Sequence, residues 1–189
     1  MTPWVRYVVA IVIGLMAGVG IAVCGVRAGA MGSSDAIGPW TTGTDFGSGS
    51  QGAKTRAVVA LRGLLALPAR EARYFTAATD DDGRPLDGRC RYTLSGTGMP
   101  ARWWSLTLYD RDGYLAGKGP YSVLSTRILT DASGNWTVNV APRPAAGSWL
   151  PTAGLERFEL TLRTYLPADE GRGNPDRAQL PSIRREGCA

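Results

Sequence analysis

A mainly β body, a β-sandwich of jelly-roll-like type carried behind one N-terminal transmembrane helix, is the architecture this sequence predicts. Three observations predict it. Residues 7–26 form an uncharged apolar run, and several later segments alternate strictly between apolar and polar residues. Turn clusters built from aspartate and glycine fall between those segments at intervals of ~10 residues. With 189 residues and a mass of 20.1 kDa, the chain has room for one domain and an appendage.

The first element is YVVAIVIGLMAGVGIAVCGV, residues 7–26. At a rise of ~1.5 Å per residue, a helix of this length covers the ~30 Å of a bilayer core. Trp4 and Tyr7 supply interfacial aromatics, and Arg6 and Arg27 bracket the run. Ala28-Gly29-Ala30 has the form of a cleavage site, but the run exceeds the ~7–15 apolar residues of a cleaved leader. Lipoprotein processing at Cys24 would need a small residue where Val23 stands. The expectation is a retained, single-pass anchor in a bacterial inner membrane. Arg6 and the terminal amine outweigh Arg27, which places the C-terminal domain in the periplasm. Ala10, Gly14, Gly18 and Ala22 recur every fourth residue, so one helix face is small enough for a second anchor to pack closely.

The rest divides into a Gly/Ser/Thr-rich linker (28–52), a β domain (53–167) and a tail (168–189). Within the linker, Trp40 reads as a residue that docks on a partner surface. Residues 53–67 open the domain as a short amphipathic helix. Val58, Leu61, Leu64 and Leu65 lie on one side, Lys54, Arg56 and Arg62 mostly on the other, and Pro68 closes it. A further helical turn runs through 70–74.

Strand texture follows. Asp80-Asp81-Asp82-Gly83 is turn chemistry rather than a calcium loop, whose carboxylates would alternate. Residues 90–95 form a short strand. In WWSLTLY (103–109), Trp104, Leu106 and Leu108 face one way and Trp103, Ser105, Thr107 and Tyr109 the other. Asp110-Arg111-Asp112-Gly113 turns the chain, and Tyr114-Leu115-Ala116 starts back. Residues 121–129 read as a strand and Asp131-Ala132-Ser133-Gly134 as a turn. Trp136, Val138 and Val140 alternate in the next strand, and Phe158, Leu160 and Leu162 in the last. About seven short strands suit two packed sheets.

Composition removes several chemistries. The chain has no histidine, so histidine-based triads and histidine metal sites are excluded, and no metal or cofactor is expected. The net charge of +5 is not gathered into a basic face, so nucleic acid is not an expected partner. With Cys24 in the span, Cys90 and Cys188 remain, and an oxidising compartment favours their pairing over two free thiols. Such a bridge is worth up to ~4.7 kcal/mol for a loop of about 100 residues.

Three ordered blocks, EARYFTAATDDDGRPLDG (71–88), RWWSLTLYDRDGYL (102–115) and SWLPTAGLERFELTLRTYLP (148–167), resemble the DUF1214 family. That family, of unknown function, is often paired with a DUF1254 domain. The resemblance implies a mainly β, jelly-roll-like domain, here without its partner domain. Ser148 stands where the family pattern has asparagine, and no reaction transfers with the resemblance.

Two functional readings follow. The first is a non-catalytic, membrane-tethered envelope module that binds a protein or glycan. The second is a hydrolase-like or ligand-processing domain with its site in a sandwich cleft, which would need two converging carboxylates. Asp110, Asp112, Glu156 and Glu159 are the acids at hand, but they fall on turns and outward positions. Trp103 and Tyr109 share a strand face and, with Arg163, are the candidate ligand-binding residues. The first reading is preferred.

Overall fold

The structure is a computed structural model that describes residues 2–27, 35–43, 52–61, 67–116 and 119–188. Most of the expected linker and residues 62–66 of the expected helix lie outside the described residues. The chain runs through α1 (Pro3–Arg27), β1 (Asp35–Ile37), β2 (Trp40–Thr42), α2 (Ala53–Leu61) and β3 (Ala72–Ala77). It continues through β4 (Cys90–Gly96), β5 (Ala101–Asp110), β6 (Ser122–Leu124), β7 (Trp136–Ala141), β8 (Ser148–Pro151) and β9 (Phe158–Pro167). A 3-10 turn, Arg177–Gln179, precedes β10 (Ser182–Cys188).

The strands form two sheets, of order β1-β2-β3-β9-β5-β6 and β10-β4-β7-β8, antiparallel except for the parallel pair β7-β8. The core lies between them because alternation sends the apolar half of each strand inward. Trp104, Leu106 and Leu108 of β5 and Phe158, Leu160 and Leu162 of β9 meet Tyr92 and Leu94 of β4 and Trp136, Val138 and Val140 of β7. Two aromatic pairs bridge the sheets, Trp104 with Trp136 at 4.7 Å and Tyr92 edge-on to Phe158 at 5.7 Å between ring centroids. The fold class is therefore mainly β, as expected.

One device turns the chain three times. Asp80, Asp110 and Asp131 each accept a backbone N–H from two residues and from four residues ahead. In each turn the glycine three residues on has φ between 78° and 87°, a range that only glycine occupies at little cost.

Two segments expected outside the β domain contribute strands to it. Trp40, expected to reach for a partner, is fully buried in β2, and its indole N–H donates to the Pro181 carbonyl at 2.8 Å. The tail returns as β10 along β4, with Ile183 fully buried. A disulfide joins Cys90 to Cys188, which stand opposite each other in that ladder. Asp81 adds a second tie, accepting from the Ile183 N–H at 2.7 Å and from Arg177 at 2.6 Å. Pairing partners distant in sequence, rather than local composition, order both segments.

Two further expectations change. Of the helical turn expected through 70–74 only a turn closing on Pro68 forms, and from Ala72 the chain is β3, paired with β9 along its length and with β2 from Phe75 onward. The strand expected over 121–129 shortens to β6, since Arg127 and Ile128 turn back onto Leu124.

α1 is long and apolar enough to cross a membrane by length and composition, and the described residues bury none of its apolar window. Apart from the helix's own backbone, none of the described residues lies within 4 Å of where a side chain on Gly14 or Gly18 would begin.

Candidate functional site

The outer face of the larger sheet collects the odd-numbered residues of β5 and β9. Register sets Trp103 beside Tyr165 and Ser105 beside Arg163, with Tyr74 of β3 on the far side of Arg163. Arg163 donates to the Tyr109 hydroxyl at 2.7 Å and to Thr107 Oγ1 at 3.2 Å. Its guanidinium also lies over the rings of Tyr109 and Tyr74, at 5.4 and 6.0 Å from their centroids. Burial pushes the Tyr74 phenol upward; Tyr165 adds to the shift and Arg163 opposes it. Trp103 packs on Tyr165 with ring centroids 5.1 Å apart. Val59 of α2 covers the part of this face around Ala72 and Tyr74.

The three candidate residues therefore share one half-buried face, and Arg163 touches Tyr109 directly. Two hydroxyl groups accept its hydrogen bonds. Asp110 caps its turn, and Glu159 stands opposite Tyr109 on this outer face.

A second location was missed by reading the sequence. Against the inner face of the larger sheet, where β3 begins and β9 ends, lies a cavity of about 270 Å³ closed by the loops around Met99, Asp169, Asn174 and Leu180. Phe75, Met99, Pro100 and Leu180 give it an apolar wall, and Arg73, Thr164 and Asp169 are polar groups on the same wall. Register explains the placement, because Arg73 pairs with Thr164 and Phe75 with Leu162, so Arg73 occupies an inward position.

Arg73 is only 4% exposed. It donates to the Gly173 carbonyl and, at 2.8 Å, to Asn174 Oδ1, and its guanidinium lies 5.2 Å from the Phe75 ring centroid. Among the described residues its Nε has no hydrogen-bond partner. Asn174 in turn donates to Asp35 at 2.6 Å. Burial lowers the Arg73 pKa, while the charges of Asp169 and Asp35 oppose that shift. The supporting loop lies close against the chain. At Gly171, with φ of 71°, an added Cβ would come within 2.3 Å of the Ala69 carbonyl oxygen.

One sequence signal could have found this residue. In ARYFTA, residues 72–77, Arg73 shares its parity with Phe75 and Ala77, which is an unusual position for a charge if the segment is a strand. Read as a helix, the segment hides that parity. Chemically, the cavity offers a cation, a hydroxyl and an apolar wall. Asp169 is the one carboxylate lining it among the described residues, where glycoside-type hydrolysis needs two.

Comparison with known proteins agrees with this architecture. The model of DUF1214, described as a protein of unknown function, matches residues 71–169, just over half of the chain. The crystal structure of the VPA0106 protein from Vibrio parahaemolyticus aligns with a TM-score of 0.53 and 23% identity, over 69% of this chain and 34% of that one. An uncharacterised protein from Burkholderia cenocepacia aligns with a TM-score of 0.47 and 21% identity, over 60% of this chain and 29% of that one. The chain thus spans about a third of the length of these structures. No curated protein matches it.

Proposed function

The chain belongs to the DUF1214 family, and we propose that it is a membrane-tethered binding module of the bacterial envelope, non-catalytic, with its body on the periplasmic side. The observation that carries this reading is α1, an apolar helix that the body leaves wholly uncovered. Its apolar side chains need a non-aqueous surrounding, and a bilayer supplies one. The Cys90–Cys188 disulfide supports an oxidising location for the body.

The binding surface toward an envelope protein or glycan is the outer face that carries Trp103, Tyr109 and Arg163. Arg163 bonded to Tyr109 and Thr107 stiffens that face, and ordered aromatics lose little entropy on stacking. The small face of α1 at Ala10, Gly14, Gly18 and Ala22 supports self-association in the membrane.

Alkaline phosphatase and green fluorescent protein, fused in turn to the C-terminus, test the topology. The reading requires phosphatase activity without fluorescence, and a membrane-bound product that retains its N-terminal 27 residues. Fluorescence alone, or a mature chain that begins past Ala30, contradicts it.

A further inference from the structure

We infer that the cavity at the start of β3 and the end of β9 is a binding site for a small organic monoanion, a carboxylate on an apolar body, held by Arg73. The inference rests on the binding-module reading and gives it a ligand class.

Arg73 is a buried cation with donors to spare. A guanidinium carries five N–H donors. Protein acceptors meet Arg73 at Gly173 and Asn174, and Nε has none. Nor does Arg73 form an ion pair among the described residues. A buried charge without a direct ion pair is costly, and so is a buried donor without an acceptor. A carboxylate in the cavity removes the first cost, because it sets a counter-ion against the guanidinium and its two oxygens match the planar fork.

The surroundings narrow the class. Asp169 shares the wall, and Asp35 stands behind Asn174, so a second negative charge on the ligand would be repelled. Phe75, Met99, Pro100 and Leu180 suit an apolar body. At about 270 Å³ the cavity exceeds the ~150 Å³ that accepts a benzene ring and falls short of the ~300 Å³ at which drug-sized pockets begin. A single-ring or short-chain acid fits those limits. Inorganic phosphate offers no apolar body and carries more charge.

The test uses the full chain in zwitterionic nanodiscs, titrated calorimetrically with benzoate, benzamide, isophthalate and inorganic phosphate, with empty nanodiscs subtracted. Benzoate is expected to bind at least tenfold more tightly than the other three. Arg73→Lys, which keeps the charge but loses the fork, should weaken benzoate at least tenfold. Ala168→Phe changes an exposed residue on the cavity rim and should weaken it similarly with Arg73 in place, so the result stands even if Arg73→Lys does not fold. Equal binding of benzoate and benzamide, tighter binding of phosphate or isophthalate, no binding of benzoate, or benzoate binding that Ala168→Phe leaves unchanged would each overturn the inference. Protein that stays in the nanodisc yet fails to bind counts against the site alone, whereas protein released from the nanodisc counts against the tether.

Discussion

Arg73 and Arg163 stand on adjacent rungs of neighbouring strands, since Tyr74 pairs with Arg163 and Arg73 with Thr164, yet they face opposite sides of one sheet. On the outer face, Arg163 is half-buried and bonded to two side-chain hydroxyls. On the inner face, Arg73 is almost fully buried, with one side-chain partner, one carbonyl and an unpartnered Nε. The difference separates two uses of one residue type. Each makes two hydrogen bonds, but a half-buried arginine can leave its other donors to water while it braces its surroundings, whereas a buried one short of acceptors is a place for an anion.

The largest effect tests what holds the cavity side together. Cys188→Ser should cost up to ~4.7 kcal/mol in urea unfolding, because the bridge closes a loop with a sequence separation of 98. It also frees β10, and Leu180 just before β10 lines the cavity. Hydrogen exchange should therefore rise in β10 and β4 before β5 and β9. Equal loosening on the outer face would break the comparison.

Replacing each arginine by methionine sharpens it directly. Arg163→Met strips partners from Tyr109 and Thr107 and should destabilise by about 1.5–3 kcal/mol. Arg73→Met trades an under-satisfied buried charge for an apolar side chain and should cost less than about 1 kcal/mol. Equal costs in urea unfolding would erase the distinction.

A comparable or smaller effect is expected at Gly171, whose positive φ and close approach to Ala69 leave no room for a side chain. Gly171→Ala should cost about 1–3 kcal/mol and displace the loop that supplies Arg73's two acceptors. Benzoate affinity should fall with it, while the Arg163 face is unaffected.

The smallest effect comes from a third arginine, exposed and fully paired. Arg89 bonds both oxygens of Asp87, at 3.0 and 2.7 Å, and those bonds hold the Asp87 carboxyl well below the usual carboxylate range. A carboxylate depressed on folding adds stability above its unfolded pKa of ~3.9 and loses it as pH falls toward the folded value. The urea midpoint should therefore decline below about pH 4, and Asp87→Asn should make that decline shallower. The step is small because the pair is wet.

Much of the fold was legible because its cause is local. The two-residue period of β5, β7 and β9 and the repeated aspartate-to-glycine turns are written in neighbouring residues. β1, β2 and β10 were not legible, since glycine-, serine- and arginine-rich stretches become strands through distant partners. Trp40 is fixed by Pro181, and Ile183 by Asp81. The same limit hid the cavity. Residues 70–74 carry local helix preference, and only pairing with β9 turns Arg73 inward. Trp103, Tyr109 and Arg163 were visible because strand alternation alone places them on one face.

The most direct measurement is the 15N resonance of each arginine Nε in nanodisc-embedded protein, followed as benzoate is added. Arg73 Nε should shift and saturate while Arg163 Nε stays in place. Movement of Arg163 with Arg73 silent would contradict it.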